Sequence, residues 1–154
     1  MKTTLVSLLA LGLGLSGCAG MRAAQARDAQ LEKLAKAHTY KQSCQEVWGA
    51  TRTMLFAQNY QVKSADAAAG LTLETDWKDE KEGNSSRYMF QGSAPSDKEC
   101  KVVATRASKS AKGDTAMERD WKMEWNLIKQ VDMTAAQEYE ADANKAGEAA
   151  RNAK

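Results

Sequence analysis

The chain of 154 residues carries 22 lysines and arginines against 20 aspartates and glutamates, a formal net charge of +2 at pH 7. This near balance argues against a nucleic-acid-binding protein, which needs a clustered basic surface. The length suits one domain with an ordinary small core, and a single histidine offers no basis for a metal site.

The N-terminal segment has the plan of a bacterial signal peptide. After Lys2, residues 5–15 are almost wholly apolar, which suits a signal-peptide core and falls short of the roughly 20 apolar residues that span a bilayer. The motif Leu-Ser-Gly-Cys at 15–18 resembles the lipobox of bacterial lipoproteins. The resemblance implies that residues 1–17 are removed and that Cys18 bears the lipid.

The resemblance also implies a cellular location. Ala19, rather than an aspartate, follows the cysteine, which in the enterobacterial sorting rule implies the outer membrane, facing the periplasm; the inner membrane remains open. Two or three acyl chains are enough for stable anchoring. The alternative is an ordinary secretory signal peptide with a cysteine near its cleavage site.

Residues 18–37 are rich in alanine, glutamine and charged residues, with few large apolar side chains, chiefly Leu31 and Leu34. This composition favours a partly helical tether between the membrane and the domain. At the end of the tether, His38 has no second histidine or nearby cysteine as a partner, so we expect it to face solvent.

Cys44 and Cys100 remain after Cys18 is assigned to the lipid. An even pair in an oxidising compartment favours a disulfide. The alternatives are two buried free thiols or a redox-active pair, although no C-x-x-C motif or adjacent cationic cluster marks a redox site.

Ser43 and Glu46 form a capping-box pattern that opens a helix, and Asn59 can end this helix in a left-handed conformation. Segments that alternate apolar and polar residues then predict strands at 60–64, 71–77, 87–91 and 100–107. Short connections imply an antiparallel meander. Trp48 on the helix and Trp77 on the second strand both fit core positions.

Residues 117–128 fit either a strand or a helix, because Trp121 and Trp125 satisfy both periodicities. A capping box at 115–118 favours the helix. A second capping-box pattern at 134–137 predicts a final helix, and the tail 147–154 is expected to fray.

The predicted fold is therefore α+β: an antiparallel meander sheet of 3–5 strands packed against a helix, with a helical C-terminus, in a single domain at 38–146. The pattern VWGATRTMLFAQNYQV…GLTLETDW, roughly 47–77, resembles the small helix-grip domains of bacterial envelope lipoproteins. The accessory lipoprotein C of the β-barrel assembly machinery is one example. The resemblance covers about a fifth of the chain and supplies no functional residues.

No catalytic constellation accompanies this fold, so the sequence favours a non-enzymatic, membrane-anchored adaptor that binds an envelope protein and needs no cofactor or metal. Trp121 and Trp125, one helical turn apart, are the candidate partner-binding residues. Core packing of the pair is the alternative. Two other functions remain open: a small-ligand or lipid carrier with an apolar cavity between helix and sheet, and a hydrolase that uses the carboxylates of Glu74 and Asp76.

Overall fold

The computed structural model describes residues 15–66 and 71–153, so positions 1–14 of the expected signal peptide lie outside the described residues. Within these ranges the helices are α1 (Leu15–Ala37), α2 (Cys44–Ala57), α3 (Trp121–Val131) and α4 (Met133–Asn152). The strands are β1 (Val62–Asp66), β2 (Thr72–Thr75), β3 (Lys78–Asp79), β4 (Ser85–Ser96), β5 (Glu99–Lys109) and β6 (Thr115–Arg119), and a short 3₁₀ turn, Lys81–Gly83, joins β3 to β4.

The strands form one antiparallel sheet in the order β1-β2-β4-β5-β6, and β3 pairs with the start of β4. The predicted α+β architecture, an antiparallel meander with a helical C-terminus, is confirmed. The sheet has six strands rather than 3–5 because the two-residue β3 and the exposed β6 also pair with its long central strands.

α2 and α3 cover one face of the sheet and build the main core. Leu55 of α2 and Leu127 of α3 are fully buried with Phe90 of β4. Trp48 lies across the backbone of Gly92, where a β-carbon would approach its indole ring to 2.9 Å. The prediction that Trp48 belongs to the core is confirmed, and Gly92 is the residue that leaves room for it.

The predicted boundaries of α2 and the predicted disulfide are also confirmed. Ser43 and Glu46 make both hydrogen bonds of the capping box, and Asn59 adopts a left-handed conformation with φ 61°. Cys44, on the inward face of α2, is bonded to Cys100 of β5 with their Cα atoms 4.8 Å apart. The bridge therefore joins the first turn of α2 to the sheet that it covers.

α1 packs antiparallel along α4, so residues 18–37 form an ordered helix of the folded unit, where the sequence predicts a partly helical tether. Ala23 and Leu31 are buried on its inner face. A β-carbon at Gly147 of α4 would lie 3.0 Å from the carbonyl oxygen of Ala23, which shows how closely the two backbones approach. The packed unit therefore extends beyond the predicted domain at 38–146.

The start of α3 differs from the prediction. Residues 115–118, expected to open a helix, belong to β6 and pair with β5. The helix begins at Trp121, and Asp120 is its N-cap, accepting a hydrogen bond from the amide of Met123 at 3.0 Å. The helical interpretation is right from Trp121 onward and wrong before it, because β5 offers the preceding residues a complete strand partner.

Both ends of α4 also differ from the prediction. Asp132 caps this helix through the amide of Ala135 at 3.0 Å, so the expected capping box at 134–137 is wrong. The helix continues to Asn152, although fraying is predicted from Gly147. It stays ordered there because Gly147 packs against α1.

Trp77 is the core prediction that fails, since 42% of its surface is exposed. Glu74 pairs with Met89, and Lys78 pairs with Ser86. The segment from Glu74 to Lys78 therefore advances by four residues while β4 advances by three. This extra residue is a bulge that breaks the two-residue alternation. Trp77 therefore leaves the core face, and the guanidinium of Arg87 lies 5.1 Å from the centre of its indole ring.

Candidate functional site

An open groove of about 700 Å³ lies at the end of the sheet. We call it the sheet-end groove; the residues that matter most to its chemistry are Glu80, Glu82, Arg106, Ser108, Lys109 and Asp114. Arg106 and Ser108 continue the inward alternation of Cys100, Val102 and Ala104 along β5. The groove therefore lies on the same sheet face as the core, at the end of β4 and β5 that α2 and α3 leave open.

A network of hydroxyl groups holds Glu80 at the inner edge of this groove. Ser86 donates a hydrogen bond to Glu80 Oε1 at 2.7 Å, and Tyr60 OH lies 2.7 Å from the Ser86 hydroxyl and 3.3 Å from the same carboxylate oxygen. The hydrogen bond from Ser86 is the main reason that the pKa of Glu80 is lowered. Glu80 is therefore ionised at neutral pH.

Tyr88 lies on β4, two residues after Ser86, and packs against Tyr60 of the network. Its ring meets that of Tyr60 edge-to-face at 5.1 Å, and its hydroxyl donates a hydrogen bond to Asp120 Oδ2 at 2.8 Å. Burial raises the pKa of Tyr88, and the hydrogen bond to Asp120 raises it further. Because Asp120 also caps α3, the phenol fixes the start of that helix against the inner wall of the groove.

Arg106 supplies a positive charge to the groove floor. In β5 it lies between Tyr88 of β4 and Glu118 of β6, and its Nη2 is 3.8 Å from Glu80 Oε1. Its Nε is buried without a hydrogen-bond partner, and the 3.8 Å from Nη2 to Glu80 is longer than a hydrogen bond. About 36% of the Arg106 side chain remains exposed, so a ligand in the groove can contact its exposed part.

These groups fit binding better than nucleophilic catalysis. Ser86 is completely buried, so its hydroxyl cannot reach a substrate carbonyl. Among residues 15–66 and 71–153, no group of three or more histidine, cysteine, aspartate or glutamate side chains is placed to hold a metal ion. What the site presents is a rigid, hydrogen-bonded wall beside one incompletely paired guanidinium.

The two tryptophans predicted to bind a partner differ in burial but line one shallow groove together. Trp125 is 8% exposed and stacks on Tyr139 of α4, with ring centroids 6.5 Å apart. Trp121 is half-buried, and both tryptophans line a shallow groove of about 290 Å³ with Arg27 and Leu31 of α1. Helix α1 covers the pair, and nothing in the spacing of the tryptophans could have predicted this.

The remaining candidate residues lie away from the sheet-end groove. Glu74 is half-buried on β2, and Asp76 is exposed just after that strand ends. Neither carboxylate lines the groove. The backbone of Cys18 lies in the first turn of α1.

His38 is buried, so the prediction that it faces solvent is wrong. Its ring meets Tyr40 edge-to-face at 4.5 Å, and its Nδ1 is 3.1 Å from Tyr139 OH. Its Nε2, 3.8 Å from Asp132 Oδ2, has no hydrogen-bond partner. Burial lowers the pKa of His38, although Asp132 opposes this shift. The histidine is enclosed because α1 packs on α4, which brings the end of α1 to the junction of α3 and α4.

One signal for the groove is present in the sequence. Arg106 falls at a core-facing position of a strand whose earlier inward residues are small or apolar, and a charged residue at such a position indicates an end of the sheet that is not covered. The contributions of Tyr60 and Ser86 carry no comparable signal, because only the fold brings them to Glu80.

Comparison of the sequence with protein-family models and with curated proteins finds no match. In the part of the chain that the structure describes, no helix has the length and apolarity needed to cross a membrane.

Proposed function

We propose that the protein is a lipid-anchored, non-catalytic binding module of the bacterial cell envelope, attached through Cys18 to the outer membrane and facing the periplasm. The single observation that carries the binding role is the sheet-end groove, in which the partly exposed side chain of Arg106 lies beside a hydrogen-bonded wall. The lipobox-like motif at 15–18 supports the anchoring role.

The geometry of α1 is consistent with anchoring at Cys18. From Cys18 to Lys36 the helix rises about 27 Å at 1.5 Å per residue, and Lys36 accepts a hydrogen bond from Arg119 at the junction of β6 and α3. An acyl group at Cys18 would therefore be joined to the domain by a helix packed on α4 rather than by a flexible linker.

The Cys44–Cys100 disulfide supports the proposed compartment. Disulfides persist in oxidising environments such as the bacterial periplasm and are rare in the cytosol. This bridge links α2 to the sheet beneath it.

The two alternatives receive less support. Leu55, Leu73 and Phe90, at the interface of α2 with the sheet, are each no more than 1% exposed, so this interface is packed where the carrier hypothesis needs an apolar cavity. The hydrolase hypothesis needs Glu74 and Asp76 in a cleft, and they do not line the described groove.

Fractionation of producing bacteria, with mass spectrometry of the purified chain, tests the anchoring. We expect the native protein in the outer-membrane fraction, beginning at Cys18 with added acyl mass, and Cys18→Ala without that mass. A native chain that starts at another residue, or that lacks acyl mass, contradicts the proposal. A pull-down from crosslinked cells, with Cys18→Ala alongside, then identifies the envelope partner.

A further inference from the structure

We infer that the sheet-end groove binds a small zwitterionic ligand, such as a short peptide with free ends, whose carboxylate pairs with Arg106. The inference deepens the proposed binding role and rests on it. It follows from three observations: the hydrogen-bonding of the Arg106 guanidinium, the hydrogen-bonding of the nearby Glu80 carboxylate, and the mixed charge of the groove.

The guanidinium of Arg106 has unused capacity for hydrogen bonding. Its Nε is already removed from water without a partner, which costs free energy that a bound anion can offset. Arg119 provides the contrast within the same protein, since it donates to both oxygens of Glu124 and to the carbonyl of Lys36. Arg106 has no equivalent set of acceptors among the described residues.

The neighbouring carboxylate does not consume this capacity. Glu80 Oε1 accepts hydrogen bonds from Ser86 and Tyr60, and it stands 3.8 Å from Arg106 Nη2, beyond hydrogen-bond distance. A planar guanidinium with free donors matches a carboxylate through two parallel hydrogen bonds. Glu80 remains on the wall, where it favours a ligand that also carries positive charge.

The charges around the groove determine the class of ligand. Three cationic residues, Lys81, Arg106 and Lys109, are balanced by three anionic residues, Glu80, Glu82 and Asp114. A phosphate dianion would meet three carboxylates, and a purely cationic ligand would meet the guanidinium of Arg106 and two lysines. A molecule with one carboxylate and one ammonium group can pair with a cationic and an anionic side chain of the groove at the same time.

The test uses the full chain purified in detergent and labelled with ¹⁵N, titrated with tri-alanine while the Arg106 Nε–H resonance is followed. We expect a saturable shift with the free peptide, and an affinity about tenfold to hundredfold lower for the C-terminally amidated peptide, because a charge-assisted contact is lost. We also expect inorganic phosphate to bind more weakly than tri-alanine.

The matched control is Arg87→Gln. Arg87 lies on the opposite face of the sheet and also has a buried Nε without a hydrogen-bond partner. For the variants, binding is followed through the backbone amides of Ser108 and Asp114. Arg87→Gln should bind tri-alanine like the native chain. Arg106→Gln should lose binding, and Arg106→Lys should retain part of it. Thermal melting of each variant establishes that it is folded.

Absence of a saturable shift with tri-alanine overturns the inference, as does equal affinity for the amidated peptide or tighter binding of phosphate. Retained binding by Arg106→Gln would place the ligand elsewhere. A failure of the anchoring proposal appears separately, as missing acyl mass on Cys18, and does not affect the titration.

Discussion

Arg119 and Glu124 form a two-pronged ion pair at the point where β6 ends and α3 begins. Arg119 Nε lies 2.8 Å from Oε1 of Glu124, and Nη2 lies 2.9 Å from Oε2. Glu124 is buried and its Oε1 also accepts the amide of Ala104, while Arg119 reaches the carbonyl of Lys36. One carboxylate thus connects the sheet to α3, and its arginine extends the connection to α1.

Replacing Glu124 with alanine should lower the free energy of unfolding by about 3 kcal/mol, because it leaves the amide of Ala104 buried without an acceptor and Arg119 without its carboxylate. The estimate is at the low end for a buried pair because Arg119 is one-third exposed. Urea unfolding followed by circular dichroism measures the change. Glu118→Ala on exposed β6 is the control, expected within about 0.5 kcal/mol of the native chain; equal effects would contradict the role given to the pair.

Removing the Cys44–Cys100 disulfide should cost about 4 kcal/mol on the chain-entropy model, since the bridge closes a loop with a sequence separation of 56 residues. The measurement compares urea unfolding of the native chain with that of the Cys44→Ala/Cys100→Ala variant, each with and without reductant. Reductant should destabilise the native chain and leave the double variant unchanged. A double variant as stable as the oxidised native chain would show that the bridge adds nothing.

His38 should make stability fall as the pH drops below the ordinary histidine pKa of about 6.5. Its pKa is lowered in the folded state, so the unfolded chain binds a proton more readily. The free energy of unfolding should therefore be highest above the unfolded value near 6.5 and should fall as the pH drops through that value towards the folded pKa. The groups that act on this ring are Asp132, which opposes the shift, and Lys41, which adds to it.

Urea unfolding at half-unit pH steps tests this dependence. The chain has a single histidine, so His38→Gln should flatten the slope below a pH of about 6.5. NMR titration of the imidazole in the folded protein should give a midpoint below the ordinary value. An unchanged slope in the variant would assign the effect to other groups.

Two glycines should respond in opposite ways to alanine. Gly49 lies within α2 with open space around its α-carbon, so Gly49→Ala should raise stability by about 1 kcal/mol through helix propensity alone. At Gly147 the new β-carbon would meet the carbonyl of Ala23 at 3.0 Å, so the same gain should be cancelled or reversed. Thermal unfolding of the two variants checks this; equal stabilisation would mean that α1 and α4 do not pack as closely as described.

The two tryptophans of α3 should differ in their effect on stability. Trp125→Ala removes a buried ring that stacks on Tyr139 and should cost about 3–5 kcal/mol. Trp121→Ala should cost clearly less, because that ring is half-buried. Chemical unfolding and the crosslinked pull-down are carried out on both variants. If both variants keep the native stability but no longer pull down the envelope partner, the two tryptophans form a partner-binding surface.

Local features of the fold were predictable because their causes are local. The capping box of Ser43 and Glu46 and the left-handed turn at Asn59 involve residues close in the chain. The disulfide was predicted from the even pair of cysteines that remains after Cys18 is assigned to the lipid, and the structure pairs Cys44 with Cys100. The predictions failed where a distant segment determined the outcome, as for the strand at 115–118, which depends on β5.

The candidate site was less predictable than the fold. The sequence analysis did not single out Arg106, although its position on the strand carries a signal, and the wall beside it combines Tyr60, which follows α2, with Glu80 and Ser86 from either side of a turn. Trp77 is a second case in which the sequence pattern was not enough. A single extra residue in the pairing with β4 moves its side chain out of the core.

The sequence by itself therefore determined the α+β architecture and the capping box that opens α2, because hydrophobic periodicity and capping act over a few residues, and its even pair of cysteines indicated the disulfide. It also supplies the lipobox-like motif on which the proposed anchoring rests. Only the tertiary structure decided that α1 packs on α4, that His38 and Trp125 are enclosed, and that Arg106 faces an open groove. Each of these depends on contacts between segments far apart in the chain, and no local pattern specifies which distant surface will cover a given side chain.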